Sequence, residues 1–212
     1  MPTPGASGQV LLVEGQDDKH VVKHLCRATG SMPDFNIEVK GGLYNLLSAI
    51  PVEVKAPGRK TVGIMVDAND DQQARWQALA DRLGKVDVAL PGDLAPSWTI
   101  IEGSHEVNRP RIGVWLMPDN VSPGELEDFI AGMIPQDDPV WPLSCEYIDG
   151  IPEPRKFSEK KVRRAEVHAW LATRREPRRM GEAIRTQDLD VGEDTCRRLV
   201  EWLRQLFTDP GS

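Results

Sequence analysis

The chain has 212 residues, of which 40% are hydrophobic, so it can bury the core of one sizeable domain and is not expected to be disordered. Its net charge of −7 argues against a protein that coats nucleic acid without specificity. No apolar run approaches the roughly 20 residues that span a bilayer, and residues 1–9 do not resemble an export signal. We therefore expect a soluble cytoplasmic protein without a membrane partner.

The first half of the chain alternates predicted strands and helices. Short apolar runs predict buried strands, and apolar residues at helical spacing predict the helices between them. The strands are expected at residues 9–13, 35–39 and 61–66, and the helices at residues 17–29, 43–50 and 72–83. Pro51 is expected to break the second helix, because proline has no backbone N–H to donate.

The second half begins in the same way and then changes in composition. Strands are expected at residues 98–101 and 111–117, and a helix at residues 124–134 with Pro123 at its start. Residues 136–154 are rich in Pro, Asp and Trp, which predicts a loop or linker. Two further helices are expected at residues 158–174 and 193–207.

Strands that alternate with helices predict an α/β fold of the Rossmann-like kind, with a mostly parallel sheet covered by helices on both sides. We expect this domain to span residues 8–135, and residues 136–212 to form a linker and a small helical C-terminal subdomain packed on it. Ligands of such sheets bind at the carboxyl ends of the strands. Glu14, Asp67 and Asp119 each follow a predicted strand, so this edge of the sheet is the expected site.

Glu14 follows the first predicted strand and is itself followed by Gly15. A carboxylate at the end of a buried strand is unfavourable unless it is paired or bound to a metal. Gly15 leaves room for the backbone to turn and for a ligand to approach. Asp17 is favoured as the cap of the next helix. Asp18 lies four residues beyond Glu14 and can reach the same ion.

Acidic groups crowd after the third predicted strand, at Asp67, Asp70 and Asp71, with Asn69 among them. Repulsion among neighbouring carboxylates favours a bound cation. Because Mg²⁺ prefers oxygen ligands and keeps several waters, two or three carboxylates suffice to hold it. An Asx turn with Asp71 as the helix cap is the alternative, but Asp67 lies too close to the buried strand to fit it.

The charges are unevenly distributed along the chain. Residues 155–185 carry eleven Lys and Arg against four Glu, a local balance of +7, so the rest of the chain carries −14. This distribution predicts an acidic pocket for cations beside a basic surface that faces phosphates. A solvated helix face whose charges only promote solubility is the alternative.

These residues resemble the signature of TOPRIM domains, in which one apolar strand ends in Glu-Gly and a later one in Asp-x-Asp. Such domains occur in topoisomerases, bacterial primases, recombination-mediator proteins and the OLD (overcoming lysogenization defect) nucleases. The spacing of Glu14 and Asp18 and the acidic run at residues 124–128 resemble the OLD type. Most of the chain resembles a family of small stand-alone TOPRIM proteins of largely unassigned function. Asn69 departs from the pattern, because it replaces the second acid of Asp-x-Asp with a weaker, neutral ligand.

The resemblance implies a site for Mg²⁺ or Mn²⁺ and assigns roles to particular residues. The expected ligands of a first ion are Glu14, Asp18, Asp67 and Asn69. The expected ligands of a second ion are Asp119, Glu125 and Glu127, although a Pro-Asp-Asn turn is the alternative for Asp119. The expected catalytic residues are Glu14, Asp67 and Lys161, the last as the basic residue that related nucleases place after the acidic helix.

The resemblance therefore implies a metal-dependent nuclease, or a related enzyme that acts on phosphodiester bonds. Its expected partners are a nucleic acid, with DNA favoured over RNA, and a separate ATPase protein, while homo-oligomer formation stays open. Two other functions stay open as well. Asn69 is consistent with a TOPRIM module that binds nucleic acid or protein without catalysis, and a small phosphorylated molecule such as a nucleotide is an alternative substrate.

Overall fold

A computed structural model of the chain describes residues 8–30, 32–104 and 106–208. Residues 1–7, for which no export signal was expected, lie outside the described residues, and so do residues 209–212 of the predicted C-terminal subdomain. Within the described ranges, no helix is both long enough and apolar enough to cross a membrane.

One sheet forms the centre of the fold. Its strands are β1 (Gln9–Val13), β2 (Asn36–Val39), β3 (Thr61–Asp67), β4 (Thr99–Ile101) and β5 (Arg111–Met117). They lie in the order β2-β1-β3-β5-β4. The first four strands in this order run parallel, and β4 pairs antiparallel with β5 at one edge. This confirms the predicted α/β fold with a mostly parallel sheet.

Helices cover both faces of the sheet. In the described part of the chain they are α1 (Gln16–Ala28), α2 (Leu43–Val54), α3 (Gln72–Gly84), α4 (Leu126–Gly132), α5 (Trp141–Asp149), α6 (Val162–Ala172), α7 (Met180–Arg185) and α8 (Asp194–Phe207). A 3-10 turn at Glu159–Lys161 leads into α6. The apolar residues of α2 and α3 pack on one face, and those of α1, α4, α6, α7 and α8 pack on the other. Because one apolar layer covers each face of the sheet, the strands β1, β3 and β5 bury side chains on both faces and are continuous apolar runs.

The C-terminal helix α8 lies directly against the middle of the sheet. Gly63 of β3 and Gly113 of β5 are neighbours in register. A Cβ atom on Gly113 would lie 2.5 Å from Leu206 of α8, and one on Gly63 would lie 3.0 Å from Phe207. Arg111 then holds the end of the helix, since its Nη1 donates to carbonyl oxygens of the last turn, the nearest at 2.7 Å. The C-terminal helices therefore share a core with the sheet.

The prediction that Pro51 breaks the second helix was wrong. The helix α2 continues through this proline to Val54. Ile50 and Val54 are buried, at 0% and 5% exposure. The burial of this apolar face compensates for the hydrogen bond that Pro51 cannot donate.

The prediction of a loop or linker at residues 136–154 was also wrong in part, because α5 lies within it. Pro142 falls in the first turn of this helix, where a missing N–H costs no hydrogen bond. Asp138 Oδ1 accepts hydrogen bonds from the N–H groups of Val140 and Trp141, at 2.8 and 2.9 Å. The Pro and Asp residues of this segment therefore start a helix. The short helix α7 has no counterpart among the predicted elements.

Candidate acidic site at the carboxyl edge of the sheet

Glu14 and Asp67 meet at the carboxyl ends of the neighbouring strands β1 and β3. Glu14 Oε1 accepts a hydrogen bond from the backbone N–H of Asp67 at 3.0 Å. Asp67 Oδ1 in turn accepts one from the N–H of Leu126, at the start of α4, also at 3.0 Å. These two carboxylates therefore join three elements, β1, β3 and α4, at one edge of the sheet.

Asp18 joins this pair from the first turn of α1. Its Oδ2 accepts a hydrogen bond from the N–H of Gly15 at 2.8 Å, and the residue is only 7% exposed. The sequence favoured Asp17 as the cap of this helix, but the hydrogen bond is made by Asp18. We call Glu14, Asp18 and Asp67 the strand-end set.

A second pair of carboxylates comes from the start of α4. Glu125 is the N-cap of this helix, and Glu127 lies two residues further on with an exposure of 2%. The helix is shorter than the predicted 124–134, because Pro123 and Gly124 precede the cap instead of starting the helix. We call Glu125 and Glu127 the α4 set, and both sets together the acidic cluster.

Asn69 holds α4 next to the end of β3. Asn69 and Gly124 exchange two backbone hydrogen bonds, at 2.7 and 2.8 Å. Asn69 has a φ of 54°, a left-handed conformation that Asn adopts more readily than most residues. The side-chain amide, assigned from its hydrogen bonds, donates to Glu125 Oε1 at 2.9 Å and accepts from Arg75 Nη2 at 2.7 Å. Asn69 thus bridges a carboxylate and a guanidinium.

The pKa values of the strand-end set are raised. Burial is the largest cause for all three, and it raises the pKa of Asp18 to about 7 and that of Asp67 to about 8. The next cause for Asp67 is the negative charge of the other four members of the acidic cluster. The pKa of Glu14 is raised as well, although the N–H of Asp67 and the charge of Arg75 oppose the effect of burial.

The two sets differ in their cationic partners. Lys161 Nζ lies 2.5 and 2.8 Å from the two carboxylate oxygens of Glu125. Arg164 Nε lies 2.5 Å from Glu127 Oε1, and the acidic cluster holds the pKa of this guanidinium above its usual range. No Lys or Arg among the described residues forms an ion pair with the strand-end set. The cations of α6 and its 3-10 turn therefore neutralise the α4 set and leave the strand-end set with its own repulsion.

Arg75 borders the acidic cluster, whereas Asp119, predicted as a ligand of the second ion, is engaged in a turn of its own. The carboxylate of Asp119 accepts three hydrogen bonds within its own turn, from the N–H groups of Val121 and Ser122 and the hydroxyl of Ser122. No role was predicted for Arg75, whose Nε donates to the carbonyl oxygen of Asp67 at 2.9 Å. The sequence position of Arg75, early in α3, could have predicted this contact, because side chains in the first turn of a helix point back toward the preceding strand end.

The oxygen ligands at this edge fit a hard divalent cation. Across the described ranges, no group of three or more His, Cys, Asp or Glu side chains forms a ready-made metal site. Several carboxylate oxygens of the acidic cluster are instead engaged by N–H groups and cations. Asp67 Oδ2 has no hydrogen-bond partner among the described residues. Since Mg²⁺ and Mn²⁺ prefer oxygen ligands, the strand-end set has the chemistry to hold one of them.

Two cavities lie at opposite edges of the sheet. One of about 360 Å³ adjoins the acidic cluster and is lined by Asn69, Glu125, Lys160 and Arg163 among others. The other, of about 470 Å³, lies where β1, β3 and β5 begin and includes Arg59 and Arg109 in its lining. Of these two, only the first borders the acidic cluster, through Glu125 and not through the strand-end set, so it is the candidate cleft for a substrate.

Fold and site together define an α/β protein with five carboxylates gathered at the carboxyl edge of a mostly parallel sheet. The chain belongs to the family described as "Protein of unknown function (DUF3226)", whose model matches residues 8–208. No curated protein and no solved structure matches it. Every strand and helix, and each member of the acidic cluster, falls inside the matched range.

Proposed function

We propose that this domain is of the TOPRIM class and that it hydrolyses phosphodiester bonds with a divalent cation held by the strand-end set. The observation that carries the proposal is the convergence of Glu14, Asp18 and Asp67 without a Lys or Arg partner in the described chain. Such a group is unstable at neutral pH unless protons or a cation neutralise it. A site that binds Mg²⁺ or Mn²⁺ has this composition.

In this proposal the residues at the site have different roles. A bound Mg²⁺ or Mn²⁺ would polarise a phosphodiester oxygen and lower the pKa of a bound water. Glu14 and Asp67 fix the position of the site, because each is held by a backbone N–H of another element. Lys161 and Arg164 bring positive charge to the α4 set. Lys160 and Arg163 line the cleft beside it, where a phosphate needs compensation.

Nucleic acid is the proposed substrate, with DNA favoured over RNA. Of the eleven Lys and Arg between residues 155 and 185, seven pair with carboxylates: Arg155, Lys160, Lys161, Arg163, Arg164, Arg174 and Arg178. The other four, Lys156, Arg175, Arg179 and Arg185, are exposed. The segment therefore offers a limited basic surface, which favours contact with a strand near the cleft over wrapping of a long duplex. A separate ATPase partner is part of the proposal on the resemblance alone.

The proposal is tested by incubating the purified protein with plasmid, linear and single-stranded DNA and with RNA, in Mg²⁺, Mn²⁺ or a chelator. We expect metal-dependent cleavage that is lost in Glu14→Gln and Asp67→Asn. Each of these changes removes a charge and keeps an oxygen that accepts the observed backbone hydrogen bond. Asp17→Asn, on the same helix as Asp18 but outside the cluster, is the matched control and should keep the activity. Cleavage that survives Glu14→Gln would belong to another site or to a contaminant.

A second candidate function is a module that binds nucleic acid or protein without catalysis. The bridge that Asn69 makes between Arg75 and Glu125 favours it, because the amide is engaged in holding α4 and adds no negative charge to the site. Binding of nucleic acid without cleavage in any divalent metal would select this function. Turnover of nucleotides without affinity for the polymer would point instead to a small phosphorylated substrate.

A further inference from the structure

Lys161 of the 3-10 turn and Arg164 of α6 pair with Glu125 and Glu127, the two carboxylates of the α4 set that the sequence assigned to a second metal ion. We propose that the cluster holds one divalent ion, on the strand-end set, and that the side chains of Lys161 and Arg164 take the place of a second. This rests on the proposed function in one respect, since it takes the strand-end set as a metal site.

The contacts of Lys161 are those of a replacement cation. Its Nζ lies 2.5 and 2.8 Å from the two oxygens of Glu125, so it occupies the space between them that a metal ion bound to both would need. Glu125 is itself held by the amide of Asn69 at 2.9 Å. A divalent ion could bind both oxygens of Glu125 only after displacing Lys161.

Arg164 forms the corresponding ion pair with Glu127. Glu127 is only 2% exposed, and a buried carboxylate is strongly destabilising without a partner. Arg164 Nε supplies that partner at 2.5 Å. Arginine remains protonated at any pH at which the protein folds, so this cation stays charged beside a metal ion and repels it.

The balance of charge also favours one ion. The acidic cluster contains five carboxylates, and three cations contact it or oppose its charge directly: Lys161, Arg164 and Arg75. With all five carboxylates ionised, two negative charges remain, which one divalent ion neutralises. A second divalent ion would give an excess of two positive charges in a partly buried site, which is unfavourable before a phosphate enters.

The number of ions bound per chain tests this directly, without substrate and without activity. Isothermal titration with Mn²⁺, together with electron paramagnetic resonance of the free ion, should give one ion for the wild type. The double variant Lys161→Met, Arg164→Met frees the α4 set and should bind two, the second more weakly. The matched control Lys160→Met, Arg163→Met removes neighbouring cations that pair with Asp70 and Asp128 outside the cluster, and it should still bind one.

Each possible result of the titration supports or overturns the one-ion proposal or the proposed function. Two ions in the wild type, or one ion in the Lys161→Met, Arg164→Met variant, would overturn the proposal while leaving a metal site intact. No binding by the wild type, or binding that persists in Glu14→Gln and Asp67→Asn, would instead reject the proposed function. If the double variant does not fold, Lys161→Met alone keeps the pair at Glu127. That variant should gain a weak second ion, and adding Glu125→Gln should abolish this gain.

Discussion

Raising the pH in the presence of a chelator is expected to destabilise the protein. The pKa of Asp67 is raised to about 8, whereas an Asp in an unfolded chain has a pKa of about 3.9. Between these two values the folded chain keeps a proton that the unfolded chain has released. The contribution of Asp67 to the free energy of unfolding is therefore greatest below pH 4, falls as the pH rises toward 8 and is absent above it.

The size of the effect follows from the number of protons involved. One proton held by the folded state alone changes the free energy of unfolding by about 1.4 kcal/mol per pH unit. The pKa of Asp18 is also raised, to about 7, chiefly by burial, so Asp18 adds to the loss over part of the same range. Counting the proton of Asp67 alone, we expect a loss of about 3 kcal/mol between pH 5 and pH 7.

Unfolding in urea at several pH values measures this loss. Trp115 and Trp202 are fully buried and lie 5.7 Å apart, so tryptophan fluorescence reports the unfolding of the core. Asp67→Asn, measured in parallel, removes the carboxyl of Asp67 and should reduce the slope to the part that Asp18 contributes. Histidine titration is common to both proteins and cancels in the comparison. Mn²⁺ at pH 7.5 should restore the lost stability in the wild type and leave the stability of Asp67→Asn unchanged.

A free energy of unfolding that stays constant or rises from pH 5 to pH 7 in chelator would refute this reasoning. The same slope in Asp67→Asn would refute it as well. Either result would mean that the three carboxylates of the strand-end set do not share a buried, uncompensated site.

Three further changes have defined outcomes. Gly113→Ala should lower the free energy of unfolding by roughly 1–3 kcal/mol, since the new Cβ overlaps Leu206; Gly132→Ala, with open space around it, is the control in urea. Arg164→Met should cost about 3 kcal/mol in chelator by leaving Glu127 buried and unpaired, and adding Glu127→Gln should recover most of it. Asn69→Asp should lower the thermal midpoint in chelator, because it sets a carboxylate against Glu125, and Mn²⁺ should reverse the loss.

The approach of Glu14 to Asp67 could be predicted from the sequence because it follows from apolar periodicity and from the common direction of parallel strands. Both residues end apolar strands, and the carboxyl ends of parallel strands meet at one edge of a sheet. In the structure Val13 and Met65 are neighbours in register, so the residues that follow them emerge side by side. Periodicity and strand polarity together were enough to find this part of the site.

The partners of the α4 set could not be predicted in the same way. Lys161 lies 36 residues from Glu125, and Arg164 lies 37 from Glu127. Their pairing depends on how α6 packs on α4 after an intervening helix that the sequence did not reveal. The composition of residues 155–185 indicated a basic segment but gave no sign of which cations it would direct into the acidic cluster.

Asn69 has a structural role that a motif of residue types does not show. In the sequence it is a weak substitute for an acid. In the structure its left-handed backbone and its two backbone hydrogen bonds to Gly124 place α4 against β3. Apolar periodicity does not report the backbone conformation of a single residue, so this structural role of Asn69 could not be predicted from the sequence.

The strand-end set combines a structural and an electrostatic role, and the two can be separated. Glu14 and Asp67 each use an oxygen to hold a backbone N–H of another element, and the amides of Gln and Asn retain such an oxygen. Their negative charges, in contrast, repel one another in a buried site and destabilise the metal-free fold. Glu14→Gln and Asp67→Asn should therefore be more stable than the wild type in chelator at pH 7.5 and yet fail to bind metal. Stability gained on loss of binding is the behaviour expected of carboxylates that are kept for function.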